Sequence, residues 1–188
     1  MPLTKVDPNC ALILIDLQKG IVGVPTVHPA PEIVGRAARL ARAFRDRKLP
    51  VVLVHVTGRP RGRTDAGFPN IPRPADWTEL VPELEQQPSD YVVTKQAPGA
   101  FLGTPLDDYL RQRAVTQVVL GGISTSLGVE STARSAYDLG YNVTLVVDAM
   151  TDRDADAHRL SVEKIFPRLG ETTMTEEVLK LLKESAGG

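Results

Sequence analysis

The chain has 188 residues, 42% of them apolar, which is enough for one well-buried core and short for two. Its 22 basic and 23 acidic residues leave a formal charge of −1, a balance that offers no footprint for nucleic acid or for an anionic membrane surface. One cysteine, Cys10, excludes an internal disulfide and a multi-thiolate zinc site, and His28, His55 and His158 stand at no metal-ligand spacing.

No apolar run approaches the roughly 18 residues of a membrane span, and MPLTKVDPN lacks the basic-then-apolar plan of a signal peptide. The expectation is therefore a cytoplasmic protein with residues 1–188 as one domain. No metal or cofactor is expected, and no nucleic-acid or membrane partner.

Ala11 to Leu17 (ALILIDL) reads as a strand buried on both faces of a parallel sheet. It carries Asp16 to the sheet's C-terminal edge, although position alone also fits a helix N-cap or a solvated loop carboxylate. Glu32 to Lys48 has Ile33, Ala37, Leu40, Ala41 and Phe44 at helical spacing with arginines opposite, and Pro31 fits the first turn. Pro50 breaks that pattern before a second buried strand, Val51 to Val56. His55 within it reads as a satisfied core or rim histidine.

Thr57 to Ser89 is long, irregular and rich in glycine and proline. It holds the basic cluster Arg59, Arg61 and Arg63 and the only tryptophan, Trp77. Such a segment reads equally as a lid or binding loop and as a surface excursion or oligomer contact, with Phe68 to Pro82 as the apolar surface. Tyr91 to Thr94 is a third strand, and Lys95 at its end shares the edge with Asp16. Thr104 and Pro105 fit the N-cap and first position of a helix through Arg113.

Val118 to Asp148 reads as a complete β-α-β unit. A strand (Val118 to Gly122) feeds a small-residue turn (Ile123 to Leu127), a helix from Gly128 to Leu139 and a strand from Asn142 to Val147. Ligands collect at such strand-to-helix turns in open parallel sheets, and Gly128 stands there. A helix from Asp154 to Phe166, a strand from Glu171 to Met174 and a helix from Thr175 to Lys183 complete the chain. The alternation predicts an α/β fold: a doubly wound, six-stranded parallel sheet in three α-β-α layers.

Four ordered segments, ALILIDLQ, VVTKQAPGAFLGTPLDDYLR, VVLGGISTSLGVESTARSAYDLGYNVTLVVDA and TTMTEEVL, resemble the isochorismatase-like hydrolase superfamily, also called cysteine hydrolases. The resemblance covers nearly the whole chain. It implies a Rossmann-like sheet of six parallel strands and an active site made by an aspartate, a lysine and a helix-opening cysteine. By position these are Asp16, Lys95 and, in the cysteine's place, Gly128. The resemblance further implies a cis peptide at Ile123-Ser124, an oxyanion hole of backbone amides around Ser124 and Gly128, and assembly as homodimers or homotetramers. Ser124, Phe101, Arg59 and Gln18 are the candidate substrate contacts.

Glycine has no side chain, so the thiolate attack used by the family's amidases cannot run here. Cys10 lies at the other end of its strand, roughly 20 Å from Asp16 at about 3.3 Å per residue. Ser126 and Ser131 miss the helix-opening position. Members resembling this chain in having aspartate, lysine and glycine are the true isochorismatases, which hydrolyse an enol ether. That reaction needs an acid to protonate the vinyl carbon and then water, with no protein nucleophile, and Asp16 would be the acid. Burial would raise its pKa while the Lys95 ammonium opposes the rise. An isochorismate-like dianion would find cations in Arg59, Arg61 and Arg63, or these are simply a solvated basic loop.

Some departures weigh against a strict match. The siderophore-pathway enzymes follow the glycine with a cysteine where this chain has Val129, an appended carrier domain is not expected, and the zinc-binding histidine cluster of nicotinamidases is absent from the sequence given. The leading expectation is a hydrolase acting on a small anionic molecule. A non-catalytic member that binds a small molecule or serves a structural role is the alternative, and an engineered cysteine-to-glycine replacement is a third.

Overall fold

The computed structural model describes residues 3–65 and 73–184. Six strands, β1 (Cys10–Ile15), β2 (Val51–Val56), β3 (Tyr91–Lys95), β4 (Gln117–Ile123), β5 (Asn142–Thr151) and β6 (Glu171–Thr173), form one sheet in the order β3-β2-β1-β4-β5-β6. Every neighbouring pair is parallel. The winding direction reverses between β1 and β4, so the crevice beyond their carboxyl ends is the place where such a sheet holds ligands.

Strand alternation explains the layers. In β1, Leu12 and Leu14 face Ile33, Leu40 and Phe44 of α2 (Ala30–Asp46) and Val178 and Leu182 of α6 (Thr175–Glu184). Ala11, Ile13 and Ile15 face the other way, toward Leu106 and Leu110 of α3 (Leu106–Gln112), Ala133 and Ala136 of α4 (Glu130–Asp138), and Phe166. All six β1 residues are buried, which is why this strand reads as continuous apolar sequence rather than as an alternating one. Each large side chain so buried contributes about 1.5–3 kcal/mol. The sheet is thus covered on both sides, as the β-α alternation predicts.

Several boundaries differ from expectation. α2 stops at Asp46 rather than Lys48, because Lys48 takes a left-handed φ of 55° and the Leu49 amide turns back to the Phe44 carbonyl. β5 runs to Thr151, four residues past Val147, by changing register: Leu120 pairs with Leu145 but Gly122 pairs with Met150. Two glycines permit this crowding. A Cβ on Gly121 would lie 2.9 Å from the Ala149 carbonyl oxygen, and one on Gly122 (φ 126°) only 2.1 Å from that of Ile15.

The helix expected from Asp154 to Phe166 is regular only over α5 (Ala155–Leu160), N-capped by Asp154. It widens into a π-type turn at Ser161–Ile165 and tightens at Phe166–Arg168, where Pro167 supplies no amide hydrogen. Within Thr57 to Ser89 the structure adds a Gln18–Leu80 bridge and a tight turn at Pro82–Leu84. Phe68 to Pro72 of the expected contact surface, with Gly67, lie outside the described residues. A single-turn helix, α1 (Lys19–Val22), follows β1.

Candidate functional site

Asp16 and Lys95 leave the sheet from β1 and β3, with β2 between them. The lysine stem crosses that gap under cover, and Lys95 is 2% exposed and Asp16 6%. Lys95 Nζ lies 2.8 Å from Asp16 Oδ2. The ammonium also donates to the carbonyls of Pro98 at 2.7 Å and Ala97 at 3.3 Å. Its three N–H bonds thereby have three acceptors, and none is left over for a further one.

Asp16 itself has a left-handed φ of 52°, and its amide donates to Val54 at 2.9 Å. Its Oδ1 is buried with no hydrogen-bond partner among the described residues. Burial raises the Asp16 pKa from 3.8 to about 6, against the charge and hydrogen bond of Lys95 and a smaller pull from His55. The competition between desolvation and the ammonium is therefore won by desolvation.

Gly128 closes the group from a third strand end. A Cβ built on it would lie 3.4 Å from Asp16 Oδ2, 3.0 Å from Ile15 Cγ2 and 3.5 Å from the Ile123 carbonyl oxygen. The turn that carries it begins with a cis Ile123-Ser124 peptide. It is wider than the expected helix start: Thr125–Val129 is a π-type turn, with the Val129 amide on the Ser124 carbonyl, and α4 is regular only from Glu130. Buried Thr132 donates to the Gly128 carbonyl at 2.7 Å and accepts from the Ala100 amide at 3.1 Å, joining the loop after β3 to the same turn.

Asp16, Lys95 and Gly128 therefore converge. The other candidates fall in different places. Ser124 lies on the turn, and its hydroxyl donates to Asp152 Oδ2 at 2.8 Å. Gln18 is fully buried, with its amide committed to Val56 N at 2.7 Å, Val56 O at 3.1 Å and Trp77 O at 3.0 Å. It braces the end of β2 against the segment around Trp77, whose indole lies over the Gly20 backbone. Phe101 is 8% exposed and packs toward Tyr141 in the apolar layer on the α3 and α4 side. Arg59, Arg61 and Arg63 are exposed.

His55 is satisfied by Thr78 O and Thr94 Oγ1 at 2.9 and 2.7 Å, as its strand position suggests. Cys10 is fully buried at the opposite end of β1, where burial pushes its thiol up to about 12.

Two features were not singled out from sequence. Asp152 gathers Ser124 and Ser126, and His158 Nδ1 lies 2.9 Å from Thr125 Oγ1 with its ring edge-on to His28 at 4.8 Å. Each joins groups more than 25 residues apart, so no local spacing announces it. Among the described residues no three His, Cys, Asp or Glu side chains gather as a metal site would need, and no helix is long and apolar enough to cross a membrane.

Comparison with known proteins agrees with this architecture. Residues 10–177 match the family model described as the isochorismatase domain. The isochorismatase family protein YwoC of Bacillus subtilis (strain 168) is 41% identical over 180 residues, spanning 92% of this chain and 94% of its own. The solved structure of an isochorismatase family protein from Burkholderia thailandensis superposes with a TM-score of 0.91 at 42% identity, covering 95% of this chain and 98% of that one. More distantly, the isochorismatase of Bacillus subtilis (strain 168) is 28% identical over 197 residues, spanning 98% of this chain and 63% of its own. The chain belongs to the isochorismatase family of hydrolases.

Proposed function

We propose that the protein is a cofactor-independent hydrolase of isochorismatase type, which cleaves the enol ether of a small anionic molecule with Asp16 as general acid and no covalent intermediate. The observation that carries this reading is the Asp16 carboxyl: buried beside Gly128, with Oδ1 unpartnered among the described residues and a pKa raised to about 6. At pH 7 such a group is protonated in about one molecule in ten, a modest cost for an acid of the right strength.

In this reaction the Asp16 proton passes to the vinyl carbon and the ether oxygen stabilises the resulting oxocarbenium ion. Water adds to that cation and loses a proton, and the hemiketal collapses to a ketone and an alcohol. Lys95 holds the carboxylate left behind. Gly128 keeps any side chain from standing against Asp16, where a Cβ would lie 3.4 Å from Oδ2. Ser124 and Ser126 are poor substitutes for a missing nucleophile, because the carboxylate they face, Asp152, is held below the usual carboxylate range and is a weak base. Residues 1–188 act in this reading as one cytoplasmic domain within a homodimer or homotetramer.

Incubation with isochorismate, with pyruvate followed by a coupled lactate dehydrogenase assay, tests the proposal. Turnover is expected to fall as pH rises above about 6, and Asp16→Asn is expected to lower it at least 100-fold, the scale of a general acid. No pyruvate from the wild type, or full activity in Asp16→Asn, overturns it.

A further inference from the structure

The turn that presents Gly128 meets His158 at Thr125 and Thr132 at the Gly128 carbonyl, and its first residues are gathered by one carboxylate, Asp152. Asp152 follows the last residue of β5 and is 4% exposed. Its Oδ2 accepts three hydrogens from that turn: the Ser126 amide at 2.7 Å and the Ser126 and Ser124 hydroxyls at 2.8 Å each. The other oxygen, Oδ1, accepts from its own chain, with the Arg153 amide at 2.7 Å. Asp152 is in turn anchored from behind, where its carbonyl accepts from the Val27 amide at 2.8 Å. Burial alone would raise the pKa of this carboxyl, but the hydrogen bonds from Ser126, Ser124 and Arg153 outweigh it and keep the group ionised.

An ionised carboxylate can only accept, so both serine hydroxyl protons point at it. The serine oxygens then have lone pairs left and no proton left. A ligand group meeting either hydroxyl must donate, as an alcohol or an N–H does; a carboxylate there would face oxygen against oxygen.

We propose that Asp152 is a positioning residue for the candidate site: it holds the turn after β4, sets the place of Gly128 against Asp16, and makes the Ser124 and Ser126 hydroxyls acceptors only. The inference rests on the reading that Gly128 and Asp16 border one ligand space, and not on the reaction run there.

A reporter at Gly128 tests it without substrate. A Gly128→Cys variant places a thiol beside Asp16; its Cβ would lie 3.0 Å from Ile15 Cγ2, a branch methyl that must yield by a few tenths of an ångström. Its alkylation by iodoacetamide is followed against pH, with the labelled residue identified by peptide mass, before and after adding Asp152→Asn. A change of at least threefold in rate at a fixed pH, in protein shown folded by circular dichroism, is expected. An unchanged rate and pH profile alongside a lowered melting temperature would mean that Asp152 serves stability alone and overturns the proposal. If Asp152→Asn does not fold, the double change Ser124→Ala, Ser126→Ala removes two of the three turn hydrogens and carries the same expectation and the same refutation. Because alkylation is read rather than turnover, a failure to hydrolyse isochorismate leaves this result intact.

Discussion

Replacing Lys95 by methionine isolates the contest that sets Asp16. The wild-type carboxyl titrates near 6 instead of 3.8, which corresponds to about 3 kcal/mol against the ionised form in the folded protein. Lys95, 2.8 Å away, opposes that cost. A close opposite charge lowers a carboxyl pKa by about 1–3 units, so its removal is expected to carry the Asp16 midpoint from about 6 to about 7–9, a further 1.4–4 kcal/mol. Carbon-13 NMR of labelled aspartate carboxyls reads that midpoint directly and requires no substrate. The sign of the stability change follows from linkage: a raised folded pKa contributes stability that is full below the unfolded value and lost as pH rises through the folded one. Lys95→Met should therefore lie nearest the wild type at about pH 4–5 and fall further behind toward pH 9, with urea midpoints as the measure. A variant midpoint at or below 6, or a deficit that does not grow with pH, would refute the claim that Lys95 opposes the desolvation of Asp16, and a wild-type midpoint near 3.8 would refute the claim that desolvation outweighs it.

Other substitutions probe neighbouring parts of the fold. Gly122→Ala should cost more than about 4 kcal/mol or prevent folding, since its Cβ would lie 2.1 Å from the Ile15 carbonyl at a φ of 126°; a wild-type melting temperature would contradict the close approach of β1 and β4. Burial and the nearby His28 lower the His158 pKa, with Asp152 pulling the other way. The stability due to neutral His158 is thus present above about pH 6.5 and lost as pH falls through its lowered value, so His158→Gln should flatten the urea midpoint across that window. Cys10, pushed up to about 12, should ignore a disulfide reagent at pH 8 until denaturant opens β1, and prompt reaction in native protein would disprove its burial.

Strand ends proved more legible than the contacts that cross the fold. The run of apolar residues in β1, the matching run in β2 and the β-α-β grammar around Gly128 placed Asp16 and Lys95 on one sheet edge, because in a parallel sheet the end of a strand fixes the edge it reaches. Sequence could not say whether desolvation or Lys95 governs Asp16, since burial depends on atoms brought in from distant parts of the chain. Gln18 shows the same limit. It stands two residues from Asp16 and invites a ligand role, yet its amide is closed by Val56 and Trp77, far along the chain. Asp152 was hidden for the converse reason: its partners precede it by 26 and 28 residues across β5, and no periodicity links a strand end to a turn on the neighbouring strand. The widened turn at Thr125–Val129 was missed because small residues are compatible with α and π geometry alike.

The Asp16–Lys95 pair also couples ligand capture to proton uptake. With Asp16 ionised the pair is electrically neutral, and with Asp16 protonated it carries one positive charge. An anion drawn into the crevice favours the second state and raises the Asp16 pKa further. At and above about pH 6, capture of an anion should therefore take up a fraction of a proton from solvent. The heat of binding would then vary with the ionisation enthalpy of the buffer, and a ligand would arm the acid by arriving.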